Sequence, residues 1–402
     1  MSEFRKNHPV DFSLERSLRG ETISDPQLTK RDFLRNCGMS FSLLSAACLL
    51  GFRETAWAQI SKKGLMKIMR SPYFTSLSGG EIQCELCPRR CRVTKGKRGF
   101  CRVRENRGGE FYSLVYGNPC AIQLDPIERN SIFHVLPATT SLSLATAGCN
   151  FRCKSCNNWE ISQVDPEDLY NYEIPPDVAV KKAKEAGANS ISFAYNESTV
   201  FYEYMFDICL LAKKAGLLSV GRTNGFINPG PLRNLCKVLD AVQIDLKGFT
   251  EIFYREMCSG QLAPVLESLK TLRQEKVHVE VTNLLIPTKN DEISVVEELC
   301  LWIKKEAGAD TPVHFSRFYP RYKLLSLPPT PVSTLEKARA VALSTGLKYV
   351  YIGNVPGHQG ENTFCPRCQK MIIQRRGFMV GEMRLKGGKC GSCGMPIPGI
   401  WA

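Results

Sequence analysis

At 402 residues the chain has room for one large domain and one or two small ones, and its 43% hydrophobic content argues against a disordered or low-complexity whole. Its net charge of +14 and its 18 cysteines are both high. Eleven of the cysteines form three tight groups, which excludes a scattered disulfide framework and fits metal sites built from reduced thiolates. The other seven read as small buried hydrophobes. Residues 84–107 and 365–402, which hold two of the groups, carry +13 of the +14. Thiolates around a divalent metal absorb part of that charge, and the excess suits an acidic protein partner or a nucleic acid.

Residues 1–58 form a leader-like segment. A basic start, an apolar run of about 15 residues and Ala56-Trp57-Ala58 suit a signal peptide, and the apolar run is too short for a membrane span. Thr29-Lys30-Arg31-Asp32-Phe33-Leu34 resembles a twin-arginine leader with Lys in place of the first Arg. The alternative is an extension on a cytoplasmic enzyme, so export or membrane association stays open beside a cytoplasmic location. Residues 59–135 contain Cys84, Cys87, Cys91 and Cys101 and are expected to form a metal-binding module. Their spacing fits either zinc or a second iron–sulfur cluster.

From residue 136 to 353 strand-like runs alternate with amphipathic helical stretches. The strands are expected at 141–148, 190–195, 217–222, 241–247, 277–286, 312–317 and 349–353. Helices such as 177–187 and 198–216 end in Ala-Gly, where the glycine suits a C-terminal cap. This recurrence predicts an α/β fold with a parallel sheet, specifically a partial (β/α)6-type barrel. A doubly wound open sheet is the rival, and no G-x-G-x-x-G follows the first strand to support it.

In such a barrel the chemistry sits at the C-terminal ends of the strands. Cys149, Asn196-Glu197, Thr223-Asn224-Gly225, Asp245 with Lys247, Thr282-Asn283 and His314 with Arg317 all fall there. Cys149, Cys153 and Cys156 lie within eight residues and have no fourth cysteine nearby in the sequence. A structural zinc wants four closed ligands, and a nucleophilic cysteine would leave two unexplained. Three thiolates suit a [4Fe–4S] cluster with one iron left open.

C-x3-C-x2-C after the first barrel strand resembles the signature of the radical S-adenosylmethionine (radical SAM) superfamily. That resemblance implies reductive cleavage of SAM to a 5′-deoxyadenosyl radical, which abstracts hydrogen from a substrate. Tyr195-Asn196-Glu197-Ser198-Thr199 resembles the loop that binds the SAM ammonium, and it equally fits a helix N-cap at Glu197. Thr223-Asn224 resembles a nucleoside-contacting turn, or is a plain turn. Asp245 and Lys247 share a strand face and are similar to a SAM-contacting pair in glycyl-radical activating enzymes; a structural ion pair is the alternative. His314 resembles a last-strand histidine of that group, or is a hydrogen-bonded core histidine.

Further motifs narrow the resemblance. These are Cys84-Glu85-Leu86-Cys87-Pro88, Gly99-Phe100-Cys101-Arg102-Val103-Arg104, Asp125-Pro126-Ile127-Glu128, Asn158 to Gln163, Tyr202-Glu203-Tyr204 and the tail from Tyr351-Ile352-Gly353-Asn354. Together they resemble the radical SAM enzymes of the AmmeMemoRadiSam system, relatives of pyruvate formate-lyase activating enzymes, over residues 80–402. Ser155, Asn157 and Ser198 depart from the usual residues, and none of the three removes a ligand. The family implies a flavodoxin or ferredoxin as electron donor, and Memo-like and AMMECR-like partners or a glycyl-radical protein as companions.

Residues 354–402 contain Cys365-x2-Cys368 and Cys390-x2-Cys393, the spacing of a zinc ribbon with a closed structural zinc. Two other functions compete: a basic zinc-ribbon scaffold whose barrel is no longer catalytic, and an RNA-modifying radical enzyme. The intact triad argues against the first. The lack of a legible RNA-binding module, and hence of a clear nucleic-acid partner, argues against the second.

Overall fold

Seven parallel strands appear at the seven expected places, and each pairs with the next in chain order. The computed structural model describes residues 61–401, so the leader-like segment lies outside the described residues. The strands are β2 (Thr140–Ala145), β3 (Ser190–Phe193), β4 (Leu218–Thr223), β5 (Ala241–Asp245), β6 (His278–Leu285), β7 (Val313–Arg317) and β8 (Val350–Gly353). An eighth strand, β1 (Ala121–Pro126), pairs antiparallel with β2 at the edge. The sheet therefore draws its edge strand from the segment assigned to the N-terminal module. Its sequential order never reverses, unlike a doubly wound sheet, which switches direction midway.

Helices α1 (Pro176–Glu185), α2 (Tyr202–Lys214), α3 (Pro229–Cys236), α4 (Leu262–Gln274), α5 (Ile293–Glu306) and α6 (Val332–Ser344) fill the crossovers. Gly187 and Gly216 follow α1 and α2 with φ of 67° and 73°, the left-handed geometry that a C-terminal glycine supplies. Strand side chains such as Leu142, Leu144, Ile191, Val242 and Ile244 are almost fully buried, as a sheet covered by helices requires. Each contributes about 1.5–3 kcal/mol through burial.

Short antiparallel strands flank this sheet on both sides in sequence. On the N-terminal side, Phe74–Ser76, Ile82–Cys84 and Arg92–Val93 form one small sheet, and Met69–Arg70, Glu110–Ser113 and Arg104–Arg107 form another. Their apolar residues Ile82, Val93, Val103 and Phe111 belong to the main core. On the C-terminal side, Thr363–Phe364, Met371–Arg376 and Met379–Met383 pair around a separate small core that takes in Phe133, Tyr349 and Tyr351. Among the described residues no helix is long and apolar enough to cross a membrane.

One buried ion pair ties the N-terminal sheets to α2. Arg104, 1% exposed, donates from Nη1 and Nη2 to the two carboxylate oxygens of Glu203 at 2.9 and 2.6 Å, and Nη1 also reaches Ser71 Oγ at 2.9 Å. Removing one partner of such a pair strands a charge. Glu203→Gln is therefore expected to destabilise the fold by about 3–5 kcal/mol. Denaturant melts that matched the parent protein would refute this.

Candidate active site at the strand ends

The triad loop begins where β2 ends, at Thr146-Ala147-Gly148. Gly148 has φ of 88°, and a Cβ there would lie 2.5 Å from the carbonyl oxygen of Cys101 and 2.7 Å from Val103 Cγ1. Only glycine lets the loop seat against the N-terminal segment in this way. After β4, Gly225 plays the same part: φ is 72°, and a Cβ would meet Ile244 Cδ1 at 2.6 Å.

These turns and the ends of β3 to β7 enclose a cavity of about 300 Å³. Cys149, Cys153, Cys156, Asn196, Glu197, Thr223, Asn224, Asp245 and Lys247 all line it, so one space gathers residues from four separate loops. His314 does not line it. That side chain is buried, with Nε2 2.7 Å from Glu280 Oε2 and its ring stacked on Tyr351, which is the geometry of a hydrogen-bonded core histidine. His278 also meets Glu280, and His134 meets Tyr351.

Glu197 is 3% exposed and holds three donors. It accepts from Thr199 N at 3.0 Å, Thr223 Oγ1 at 2.7 Å and Asn224 N at 2.7 Å. It is thus an N-cap that also fixes the Thr223-Asn224 turn. Burial pushes its carboxyl up, and those donors oppose the shift. Asn224 Nδ2 in turn reaches Asn150 Oδ1 at 2.9 Å, coupling that turn to the triad loop.

Asn196 donates to the carbonyls of Thr146 and Gly148 at 2.7 and 2.9 Å, while its Oδ1 is buried without a partner among the described residues. Thr282 Oγ1, also on the cavity wall, is unpartnered in the same way. Buried polar atoms without partners are costly, and both of these belong to residues that line the cavity. Tyr195, just before Asn196, has φ of 65°; Asn158 Nδ2 donates to its carbonyl at 2.6 Å and its hydroxyl donates to Asp125. Left-handed backbone on an aromatic residue is local strain, which proteins concentrate at functional sites.

Lys247 Nζ lies 2.9 Å from Asp245 Oδ2, and Gln243 and Arg222 also face Asp245. Burial raises the Asp245 carboxyl, but Lys247 and Arg222 outweigh it and bring it down to about 2. Its folded value lies below the ordinary 3.8, so the pair is intact above about pH 4 and is lost as pH falls through 2. Lys247 stays charged against its own burial because Asp245, Cys153 and Cys258 all face it.

Cys258 is absent from the sequence reading as a site residue. It ends the irregular turn Tyr254–Cys258, in which the carbonyls of Cys258 and Met257 accept the amides of Arg152 and Lys154. Its buried thiol lies against Cys153, an interaction that lowers Cys153 and raises Cys258. Burial raises Cys149 and Cys156; Phe151 N faces Cys149 Sγ at 3.3 Å, and Ser162 Oγ faces Cys156 Sγ at 3.1 Å. Arg129, Arg222 and Phe378 also line the cavity without having been singled out. Of these, Arg222 was within reach of the strand-end rule, since it falls at the end of β4.

The C-terminal cysteines behave differently. Cys365 and Cys393 have their sulfurs 3.5 Å apart, Cys368 and Cys390 3.7 Å, and all four lie within 4.8 Å of one another. A tetrahedral zinc with bonds of about 2.3 Å spaces its thiolates about 3.8 Å apart, so this quartet fits a single ion. The sulfurs of the triad are not packed so closely: among the described residues only the C-terminal quartet forms such a compact group. Three cysteine thiols on one cavity wall, with no fourth among its lining residues, are a donor set that fits a multinuclear cluster.

The family model described as the Radical SAM superfamily matches residues 143–299. An uncharacterized protein of Methanocaldococcus jannaschii is 43% identical over 327 residues, covering 81% of this chain and 97% of that protein. The pyruvate formate-lyase-activating enzyme of Listeria monocytogenes is 22% identical over 157 residues, 36% of this chain and 62% of that enzyme. Among solved structures, a radical SAM methyltransferase from Sphaerobacter thermophilus aligns with a TM-score of 0.44 and 12% identity, covering 74% of this chain and 80% of that one.

Proposed function

Because this chain belongs to the radical SAM superfamily and is an enzyme of it, we propose that its cavity holds a [4Fe–4S] cluster on Cys149, Cys153 and Cys156 with SAM alongside. The observation that carries this reading is the convergence of three thiols, Glu197, the Thr223-Asn224 turn and the unpartnered Asn196 Oδ1 on one cavity. When bound, the cluster and SAM supply one-electron cleavage of the sulfonium C–S bond and a 5′-deoxyadenosyl radical that takes a hydrogen atom from the substrate.

The chain's own residues prepare that chemistry. Cys258 and Lys247 stabilise negative charge on Cys153, favouring the thiolate that a metal needs. Asn196 Oδ1 offers an acceptor for an ammonium. Glu197 organises the turn that would hold the nucleoside. Asp245 and Lys247 form a fixed dipole on the wall, and Arg129 and Phe378 border the same cavity.

Within this reading the sheet curls as a partial barrel around the cavity. The substrate is a polypeptide of a companion protein, as the pyruvate formate-lyase-activating relatives suggest by their names. A flavodoxin or ferredoxin supplies the electron, and the basic flanking segments favour an acidic partner. The motifs shared with the AmmeMemoRadiSam enzymes assign the chain to that group, with Memo-like and AMMECR-like companions, and zinc fills the C-terminal quartet.

The test is the EPR spectrum of anaerobically reconstituted, reduced protein with and without SAM. A reduced-cluster signal that changes on adding SAM, with release of 5′-deoxyadenosine, is expected. A signal indifferent to SAM would overturn the proposal.

A further inference from the structure

A second set of four thiols lies directly behind the triad. Cys84, Cys87, Cys91 and Cys101 line one pocket with Leu86, Arg104 and Phe111. Phe100 N faces Cys91 Sγ at 3.5 Å, and an amide aimed at sulfur stabilises a thiolate. No disulfide joins any of the four.

Two occupants are chemically open, and size separates them. Four thiolates around a zinc ion or around a [4Fe–4S]²⁺ core leave the same net charge of about −2, so the nearby Arg104 and Arg89 suit both. A single zinc draws its thiolates to about 3.8 Å from one another. The C-terminal quartet has that spacing, and among the described residues these four cysteines form no group of ligand atoms as compact as it. Cys149, Cys153 and Cys156 likewise form no such compact group. We propose that Cys84, Cys87, Cys91 and Cys101 hold a second, four-cysteine [4Fe–4S] cluster.

Its place in the fold suggests its use. The carbonyl of Cys101 packs against Gly148, the residue before Cys149. Arg89 and Arg152 lie 3.6 and 4.0 Å over the two sides of Phe100, and both guanidiniums are within electrostatic reach of Cys101 and Cys149. Arg89 Nε also donates to Asn150 O at 2.6 Å. One layer of side chains therefore separates the two thiol sets. A cluster there takes one electron from an external one-electron donor protein and passes that one electron inward, returning to its starting state.

Metal analysis of the anaerobically reconstituted full chain tests this. Wild type is expected to bind about eight irons and one zinc. The triple variant Cys149→Ala, Cys153→Ala, Cys156→Ala should keep about half of that iron and show a reduced-cluster EPR signal that SAM does not alter. The double variant Cys84→Ser, Cys101→Ser should also lose half the iron while keeping the SAM-responsive signal. An iron-free triple variant carrying a second zinc, or one in which these four thiols titrate as free, would overturn the proposal. Should the double variant not fold, the triple variant decides alone. Failure of the SAM response in a chain that still binds two clusters would count against the proposed function and leave this site standing.

Discussion

Cys153→Ala is expected to cut SAM-dependent release of 5′-deoxyadenosine by about 10³-fold or more, to background. The triad supplies every protein ligand of the proposed cluster, so losing one thiolate removes the centre instead of weakening it. The neighbouring thiol provides the informative contrast. Cys258 lies against Cys153 and stands beside Lys247, but it is outside the three-cysteine spacing. Cys258→Ala should keep the iron and the SAM-responsive signal while costing about 10–100-fold in activity or cluster affinity, as for other groups that orient a metal ligand. Its reduced cluster should form at a lower potential, because a hydrogen bond to a ligand sulfur favours the more negative, reduced state. Redox-poised EPR measures that shift. Turnover surviving in Cys153→Ala would sink the radical scheme, and complete iron loss in Cys258→Ala would make Cys258 a ligand.

That pair of variants also shows where sequence reading reaches its limit. The triad was legible because its ligands are local: one loop, a short gap pattern and a strand just before it. The seven parallel strands were legible because buried parallel strands are continuous apolar runs. Cys258 was not, because it reaches Cys153 through the turn before α4, and a lone cysteine in an apolar stretch looks like core. Strand β1 was missed for a related reason. Its half-exposed residues Gln123 and Leu124 and its terminal Pro126 break the strand pattern, as an edge position allows. His314 sits on the expected strand, but the carboxylate that claims it, Glu280, lies on the neighbouring strand, and side-chain partnership across a sheet leaves no mark in either segment. The strain at Tyr195 is likewise a property of the packed loop and not of its composition.

Loss of the zinc proposed for the C-terminal quartet is expected to reach the cavity even though no cysteine of the quartet lines it. Cys365 and Cys390 are buried against Phe133, Tyr349 and Tyr351, so an ion holding the four sulfurs also holds this small core together. From the adjoining hairpin the buried Arg375 donates to Phe133 O at 2.8 Å and to Thr363 Oγ1 at 2.7 Å, with its guanidinium 4.2 Å from the Phe133 ring. Phe133 and His134 are in turn fixed by amide donation to Glu280. Just before them in the chain, Arg129, Asn130 and Ser131 line the cavity, and so does Phe378 at the hairpin tip. Cys368→Ser should therefore bind no zinc at this site and lose upward of about 4 kcal/mol of stability, the range in which loss of a metal site falls. It should also bind SAM about 10-fold more weakly, because the cavity wall loses its brace. Zinc content, thermal melts and equilibrium dialysis with SAM measure the three effects, and Glu382→Ala, an exposed change in the same module, serves as the control. Full SAM affinity in a zinc-free Cys368→Ser protein would mean that the module is an independent attachment and that the cavity wall stands without it.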